Sequence, residues 1–301
     1  MDATFRQLRL FLSLSELGSV SAVARRFHVT QPTVSMQLRD LSESAGLPLY
    51  EIIGKRVCLT AAGEELAHSA RVMVHEWEDC RQRLGAMSGL ARGRLRVAVV
   101  STAKYFIPRI LGLFCARHPE VEIALEVLNR DGVIQRLREN LDDMYIMSKP
   151  PGDLAVVQQP FLTNPLVVVA NAGHRLCGKE NISLEEIATE RFILRERGSG
   201  TRLACDTFFR QHGFVPQVRL ELGSNEAIKQ GVAGGLGIAV LSQQTLGEFV
   251  REGTLRVLDV AGFPILSEWF TVQLKGKRLS PTALAFLEFL GEQTGRILTE
   301  T

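Results

Sequence analysis

From Leu95 onward, apolar strand-like runs alternate with helical patterns, and no other feature of the 301-residue chain restricts its fold as much. "LRVAVVS" reads as a buried-type strand and is followed by a helical pattern from about Tyr105 to Arg117. "VEIALEVL" is a second strand ahead of "VIQRLREN", and "DMYIMS" is a third. "LVVVAN", "RFILR", "VRLEL", "GIAVLS", "LRVLDV" and "EWFTVQLK" follow, and "PTALAFLEFLGEQTGRIL" closes the pattern as a helix. Alternation at this spacing predicts an α/β domain with a largely parallel sheet. About 205 residues is long for one such sheet, so two lobes with a cleft between them are expected. In open α/β sheets ligands sit at the carboxyl ends of the strands.

Hydrophobic residues make up 46% of the chain and charged residues 23%, the balance of a soluble globular protein. No apolar run is long enough for a membrane span. The opening "MDATFRQLRLFLSL" is interrupted by Arg6 and Arg9 and lacks a small-residue cleavage site, so no signal peptide is predicted. Cys58, Cys80, Cys115, Cys177 and Cys205 are scattered and form no C-x-x-C pair. Reduced thiols in a cytoplasm fit that pattern, with no zinc site and no cofactor.

The first 59 residues have a different character. Phe5 to Leu17 has helical periodicity and Gly18 stops it. Ser19 or Ser21 can cap a short helix, "SAVARRF", and "HVT" makes a tight turn. Thr30 can cap the next helix, with Pro32 in its first turn, where a missing N–H is harmless. Val34, Leu38 and Leu41 form one narrow apolar stripe on that helix. Its other faces carry mostly hydrogen-bonding groups. Two short helices with a tight turn between them form the helix-turn-helix pattern, whose second helix enters the major groove. Gln pairs with adenine, Ser and Thr meet several bases, and apolar groups meet the thymine methyl. Gln31, Pro32, Thr33, Ser35 and Met36 suit that task, and Arg39 suits a phosphate or a guanine. Gly54 can turn a hairpin between "EII" and "RVCL", with Lys55 and Arg56 at its tip, in reach of phosphates or the minor groove. Seven basic residues among the first 58 are nearly offset by five acidic ones, so the interface is read from where charges sit rather than from bulk charge.

A long helix from about Thr60 to Met87 joins the two parts. Leu66, Ala70, Met73, Trp77, Cys80, Leu84 and Met87 alternate at spacings of four and three, three heptads of a/d positions. Charged residues flank them. The seam is predicted to pair with a second copy and make a homodimer; packing against a helix of the same chain is the alternative. Two recognition helices on a two-fold axis would match palindromic double-stranded DNA. Domain boundaries are set at 1–59 for the DNA-binding part, 60–89 for the linker and dimerisation helix, and 90–301 for the two-lobed part.

Polar residues collect where the predicted strands end. Ser101, Thr102 and Lys104 follow the first strand, Asn129 the second and Ser148 the third. "ERGSGTR" follows "RFILR" and places Thr201 and Arg202 at a helix start, where free N–H groups favour an anion. The same Ser and Thr residues also serve as helix caps. Together with Lys104 and Arg202 they predict a small anionic metabolite, a phosphorylated sugar being one candidate. "GHRLCGKE" spells a phosphate-loop pattern, but Glu180 stands where Ser or Thr would hold magnesium and the next helix begins near Ser183. Ser199 lacks the frame of a nucleophile elbow and the six histidines form no metal motif. No catalytic residue and no metal ligand is predicted, and the chain is read as a regulator rather than an enzyme. A solute-binding protein and a nucleotide-hydrolysing enzyme are the rival readings.

At this point the chain resembles a LysR-type transcriptional regulator. "AVARRFHVTQPTVSMQLRDLSESAGLPLY" is similar to that family's helix-turn-helix, "RVCLTAAGEEL" to its wing and linker-helix start, and "GSNEAIKQGVAGGLGIAVLS" to a stretch of its effector domain. The resemblance implies an α/β effector domain of periplasmic-binding-protein type, with two lobes, preceded by an all-α winged helix-turn-helix and a long linker helix. It also implies dimers that assemble into a homotetramer on promoter DNA, with RNA polymerase as a further partner. "VSTAKYFIPRIL", "ENLDDMYIMSKPP" and "FLTNPLVVVANAGHRL" look like the subgroup that controls carbon-dioxide-fixation (Calvin-cycle) operons, with a LysR-type regulator of a different metabolic operon and another effector as the alternative. By that resemblance Gln31, Pro32, Thr33, Ser35 and Met36 would meet bases, and Lys55 and Arg56 the backbone or minor groove. Ser101, Thr102, Lys104, Asn129, Ser148, Thr201 and Arg202 would line the effector cleft. The chain departs from the usual pattern at "YEIIGKRV" in the wing and at Ser148, where the subgroup often has Gly.

Overall fold

Capping residues set the first helix boundaries where the sequence placed them. Thr4 accepts the Gln7 N–H, and the Gln7 side chain accepts the Thr4 N–H in return, which starts α1 (Phe5–Leu17). Gly18 ends it with a left-handed φ of 59°. Ser19 caps α2 (Val20–Arg26), and Thr30 caps α3 (Gln31–Ala45), with Pro32 in its first turn. The hairpin of β1 (Tyr50–Ile53) and β2 (Arg56–Leu59) is antiparallel, with Ile53 opposite Arg56 and Gly54 at φ 66° in the turn. α4 (Ala61–Met87) begins where the Thr60 hydroxyl accepts the Gly63 N–H at 3.1 Å and donates to the Pro48 carbonyl at 2.6 Å. Gly63 is required there, because a Cβ would stand 1.9 Å from the Leu49 carbonyl oxygen. The computed structural model describes residues 2–54, 56–87 and 93–297, apart from the side chains at 82, 86, 87 and 294–297.

By its contacts the chain divides into two units, Met1–Gly89 with Glu139–Leu141, and Leu90–Arg138 with Asp142–Thr301. The core of the first unit is one cluster. The predicted stripe of Val34, Leu38 and Leu41 packs with Leu10, Phe11 and Leu14 of α1 and Val23 of α2. Leu66, Ala67 and Ala70 of α4 join the same cluster. Of the predicted seam, therefore, Leu66 and Ala70 are used inside the chain, where α1 covers the first half of α4. Met73, Trp77 and Leu84 stay exposed, at 43%, 53% and 59%, and Cys80 is half-buried. The side chain of Met87 lies outside the described residues.

The second unit begins with β3 (Gly93–Val100), α5 (Ile107–Arg117), β4 (Val121–Leu128), α6 (Arg130–Arg138), β5 (Met144–Met147) and β6 (Val156–Thr163). It continues through β7 (Leu166–Asn171), α7 (Leu184–Ala188), β8 (Arg191–Arg195), α8 (Gly200–Gln211), β9 (Gln217–Leu222) and α9 (Asn225–Ala233). β10 (Ile238–Ser242), α10 (Gly247–Arg251), β11 (Leu255–Leu258), β12 (Glu268–Leu274) and α11 (Pro281–Ile297) complete it.

Two five-stranded sheets result, in the orders β4-β3-β5-β12-β6 and β11-β7-β10-β8-β9. Two lobes were expected and are present, but the sheets are mixed rather than largely parallel. β3 pairs parallel with β4 and β5, whereas β12 runs antiparallel to β5 and β6. The connectivity explains this. β6 carries the chain out of the first lobe and β12 brings it back from the second, so the returning strand enters from the opposite end. β6, "VVQQPFLT", was missed in the sequence because Gln158, Gln159 and Pro160 break its apolar pattern. It is an edge strand, where a proline costs no ladder bond. A bulge between Trp269 and Phe270 accommodates the shift beside Pro160.

Each lobe has its own aromatic-rich core. In the first, Trp269 is fully buried with Phe106 at 5.3 Å between ring centroids, and Phe114 meets Phe286 at 5.2 Å. In the second, Phe192 packs edge-on to Phe209 and Phe214 on one face of the sheet, and Ile193, Ile228 and Leu241 fill the other. These cores fix where the strands end, and the polar residues gather at those ends.

Candidate functional site

The two units present different chemistry. On the first, burial of the apolar stripe of α3 turns its remaining faces outward. Gln31, Pro32, Ser35, Met36 and Arg39 are exposed, Met36 at 48%. Thr33 is half-buried, and its hydroxyl pairs with that of Thr30 at 2.7 Å. The Gln31 side-chain oxygen accepts from Ser21 at 3.2 Å, which holds the amide while its NH₂ stays available. Arg39 lies 3.7 Å from Glu43, a loose exposed pair that does little to hold it. Arg56 is exposed at the start of β2, while Lys55 lies outside the described residues. Short donors and acceptors and one thioether on the first turns of a helix, with an exposed guanidinium further along it, make a surface that can read base edges.

In the second unit the ends of β3, β4 and β5 meet the ends of β8 and β9. The Asn129 side chain accepts the Gly132 N–H at 2.9 Å and so starts α6. The Asp131 N–H donates to the Gly198 carbonyl of the other lobe at 3.3 Å. A Cβ on Gly198 would stand 3.0 Å from the Asn129 amide nitrogen, and one on Gly200 would stand 3.1 Å from the Ser148 hydroxyl. The absence of side chains at these two glycines lets the backbone of one lobe approach Asn129 and Ser148 of the other. Ser199 is buried and caps α8, accepting the Arg202 N–H at 3.0 Å. Thr102 and Thr201 are buried, and neither hydroxyl has a hydrogen-bond partner among the described residues. Beside Ser148 opens a groove of about 880 Å³ lined by Lys149, Gln158, Thr163, Ser267 and Phe270.

The cations of this region are arranged differently from the expectation. Arg202 donates to Asp206 and Glu221, both at 2.8 Å, and to the Arg195 carbonyl, so its fork is occupied on its own lobe. Lys104 donates to Glu226 across the lobes at 2.9 Å, and Tyr105 donates to the same carboxylate. Burial pushes the Glu226 carboxyl up, but the bonds from Tyr105 and Lys104 outweigh it and hold the group down at about 2. Burial, reinforced by Glu226, raises the Tyr105 phenol above its ordinary value. Lys229 is buried, donates to the Thr245 carbonyl, and lies 4.7 Å from the Tyr105 ring centroid; burial lowers its ammonium from the usual value.

The central cation is Arg195, which the sequence reading passed over. It ends β8 at 2% exposure and donates to Glu196, to the Asn225 side-chain oxygen at 2.7 Å and to the Ser101 hydroxyl of the other lobe at 3.1 Å. Asn225 is 3% exposed; its amide nitrogen has no hydrogen-bond partner among the described residues. The cap of α9 is Ser224, which leaves Asn225 free for this inward role. A charged residue closing the apolar run "FIL", with the other charge of the strand at its exposed start, was the sequence signal for Arg195.

Comparison with known proteins follows this division. Residues 5–64 match the family model "Bacterial regulatory helix-turn-helix protein, lysR family", and residues 88–295 match "LysR substrate binding domain". The chain belongs to the LysR family of transcriptional regulators. It is 46% identical over 288 residues to a "RuBisCO operon transcriptional regulator" of Acidithiobacillus ferrooxidans, covering 96% of this chain and 93% of that one. It is 41% identical to the "HTH-type transcriptional activator CmpR" of a Synechocystis strain, covering 96% and 95%. Among solved structures, the Synechocystis CcmR regulatory domain in complex with 2-PG is 50% identical, with a TM-score of 0.66, covering 67% of this chain and 98% of that one.

This LysR-type regulator is therefore a DNA-binding transcription factor with an effector-binding domain, in line with the sequence reading and not with an enzyme. "GHRLCGKE" has no phosphate-loop architecture: Lys179 pairs with Glu186 at 3.0 Å, and the following helix starts only at Leu184 with Ser183 as its cap. No helix among the described residues is long and apolar enough to cross a membrane. Ser35→Ala should weaken binding to a cognate operator by about 1–3 kcal/mol and leave binding to unrelated DNA unchanged. Fluorescence anisotropy on both duplexes checks this, and equal loss on both would remove Ser35 from the bases.

Proposed function

We propose that this LysR-type regulator controls carbon-fixation genes in response to a small anion, such as the 2-PG held by its relative, bound where the strands of the two lobes end. The observation that carries the reading is the set of donors at the strand ends and helix starts that have no hydrogen-bond partner among the described residues: the hydroxyls of Thr102 and Thr201, and the amide of Asn225 beside Arg195. Full-length similarity to regulators of the RuBisCO operon supports the choice of genes. Ser101, Asn129 and Ser148 complete the ligand contacts, and Lys104 and Arg202 shape the field from their own ion pairs. A ligand that touches both lobes shifts their relative populations and through them the affinity for DNA. Gln31, Pro32, Thr33, Ser35, Met36 and Arg39 contact the major groove, and Lys55 and Arg56 the backbone or minor groove. The regulator acts in the cytoplasm on promoter DNA and contacts RNA polymerase there.

The working form is a homodimer that pairs into a homotetramer. The exposed stripe of Met73, Trp77 and Leu84 supports the first contact, although Trp77 also meets Phe5 of α1 at 5.8 Å between ring centroids. Leu113, Leu203, Val218 and Leu220 stand exposed on α5, α8 and β9 and offer apolar area for a second.

Two measurements test the reading. Thr201→Val should abolish the response of operator binding to 2-PG while leaving binding without 2-PG unchanged; a preserved response would make Thr201 a packing residue only. Leu84→Asp should place a charge in the stripe and lower the sedimenting mass by one association step. An unchanged mass would show that the stripe is not an interface.

A further inference from the structure

The guanidinium of Arg195 is already gripped as a ligand would grip it. Its Nε donates to one carboxylate oxygen of Glu196 at 2.8 Å and its Nη2 to the other at 2.9 Å, the two-oxygen, two-nitrogen fork of strong arginine–carboxylate recognition. The Arg195 side chain is 1% exposed and that of Glu196 is 22% exposed. The carboxylate thus approaches a buried cation from the solvent side. Its carboxyl carbon would lie 3.9 Å from a Cβ at Gly223, so it sits beside the turn that leads into α9. On the other side of Arg195, the Asn225 oxygen accepts from the guanidinium, which fixes the amide orientation and leaves the buried nitrogen with hydrogens to donate and no acceptor among the described residues.

We infer that Glu196 is a built-in surrogate for the effector anion: it occupies the Arg195 fork when no ligand is bound, and the ligand's carboxylate or phosphate displaces it. This rests on the reading that an anion binds at the lobe ends. Two features make the exchange balanced. A ligand oxygen pair replaces the Glu196 oxygen pair on Nε and Nη2, so the buried charge of Arg195 is never left bare, a state that would be strongly unfavourable. A further ligand oxygen takes the Asn225 N–H that Glu196 leaves unsatisfied, which favours the ligand over the surrogate. The displaced carboxylate moves into water, where its charge is solvated. Because Arg195 also donates to Ser101 of the other lobe, a change of partner at its fork reaches the contact between the lobes. The surrogate sets an affinity threshold and admits only anions able to span both nitrogens. A compact tetrahedral or planar oxyanion can do so, whereas a neutral sugar cannot.

The test is calorimetric titration of the full-length protein with 2-PG and with inorganic phosphate, for the parent chain, Glu196→Gln and Arg195→Gln. The glutamine keeps an acceptor for Arg195 but removes the competing charge. It should tighten 2-PG binding by about tenfold or more, the scale of one charge-assisted hydrogen bond. Arg195→Gln should lose binding of both anions. Unchanged thermal melting of Glu196→Gln shows that the fold is kept; if it melts early, Glu196→Ser serves as the second variant with the same expectation. Equal or weaker 2-PG binding by a folded Glu196 variant would overturn the surrogate while leaving the anion reading intact. If neither the parent nor the variants bind either anion, the anion reading itself fails, and the surrogate with it.

Discussion

A guanidinium cannot be taken out of water without acceptors around it, and the second unit is organised by that demand. Arg195 sits at the end of a buried strand at 2% exposure. Its side chain is satisfied by Glu196 next in sequence, by Asn225 at the start of α9 and by Ser101 at the end of β3. These partners come from both lobes. One buried charge therefore ties the second lobe to the first at the place where both sheets end. Breaking such a group's contacts costs far more than losing a surface pair. The cores on either side are ordinary aromatic and aliphatic packing, and they serve to deliver Arg195 and its partners to one point.

The same logic, with apolar groups in place of a charge, governs the first unit. Val34, Leu38 and Leu41 bury one narrow face of α3 against α1 and α2. A narrow buried face leaves a wide free one, and that free face carries the short polar side chains that base edges require. The two units thus carry different chemistry: an exposed helix face of short polar side chains in one, and in the other a polar centre built around Arg195.

Much of this was legible in the sequence, for identifiable reasons. The helix starts at Ser19 and Thr30, the Gly18 stop and the Gly54 hairpin are local chemistry and appear where local chemistry places them. The polar residues at the strand ends, Ser101, Asn129, Ser148 and Thr201, were also visible, because strand ends are where loops and helix starts must be. What stayed hidden depended on distant pairing. β6 escaped because an edge strand tolerates Pro160 and two glutamines. The antiparallel return of β12 follows from a lobe crossing that no local pattern encodes. Leu66 and Ala70 fit a dimer seam by spacing, but α1 covers them first. Lys104 and Arg202 looked like free cations, yet each is paired with a carboxylate far away in sequence or one helical turn on, and Arg195 looked like the end of an apolar strand.

The central claim is that one face of α3 reads operators whose occupancy an anion alters through the lobes. Retention of sheared genomic DNA by the purified full-length protein at about 0.15 M salt tests it most directly, since backbone binding alone falls steeply with salt. The retained fragments are sequenced with and without 2-PG. The account predicts a small set of promoter fragments beside carbon-fixation genes, with recovery that changes when 2-PG is present. Uniform recovery of the genome, or a specific set indifferent to every small anion tried, would contradict it.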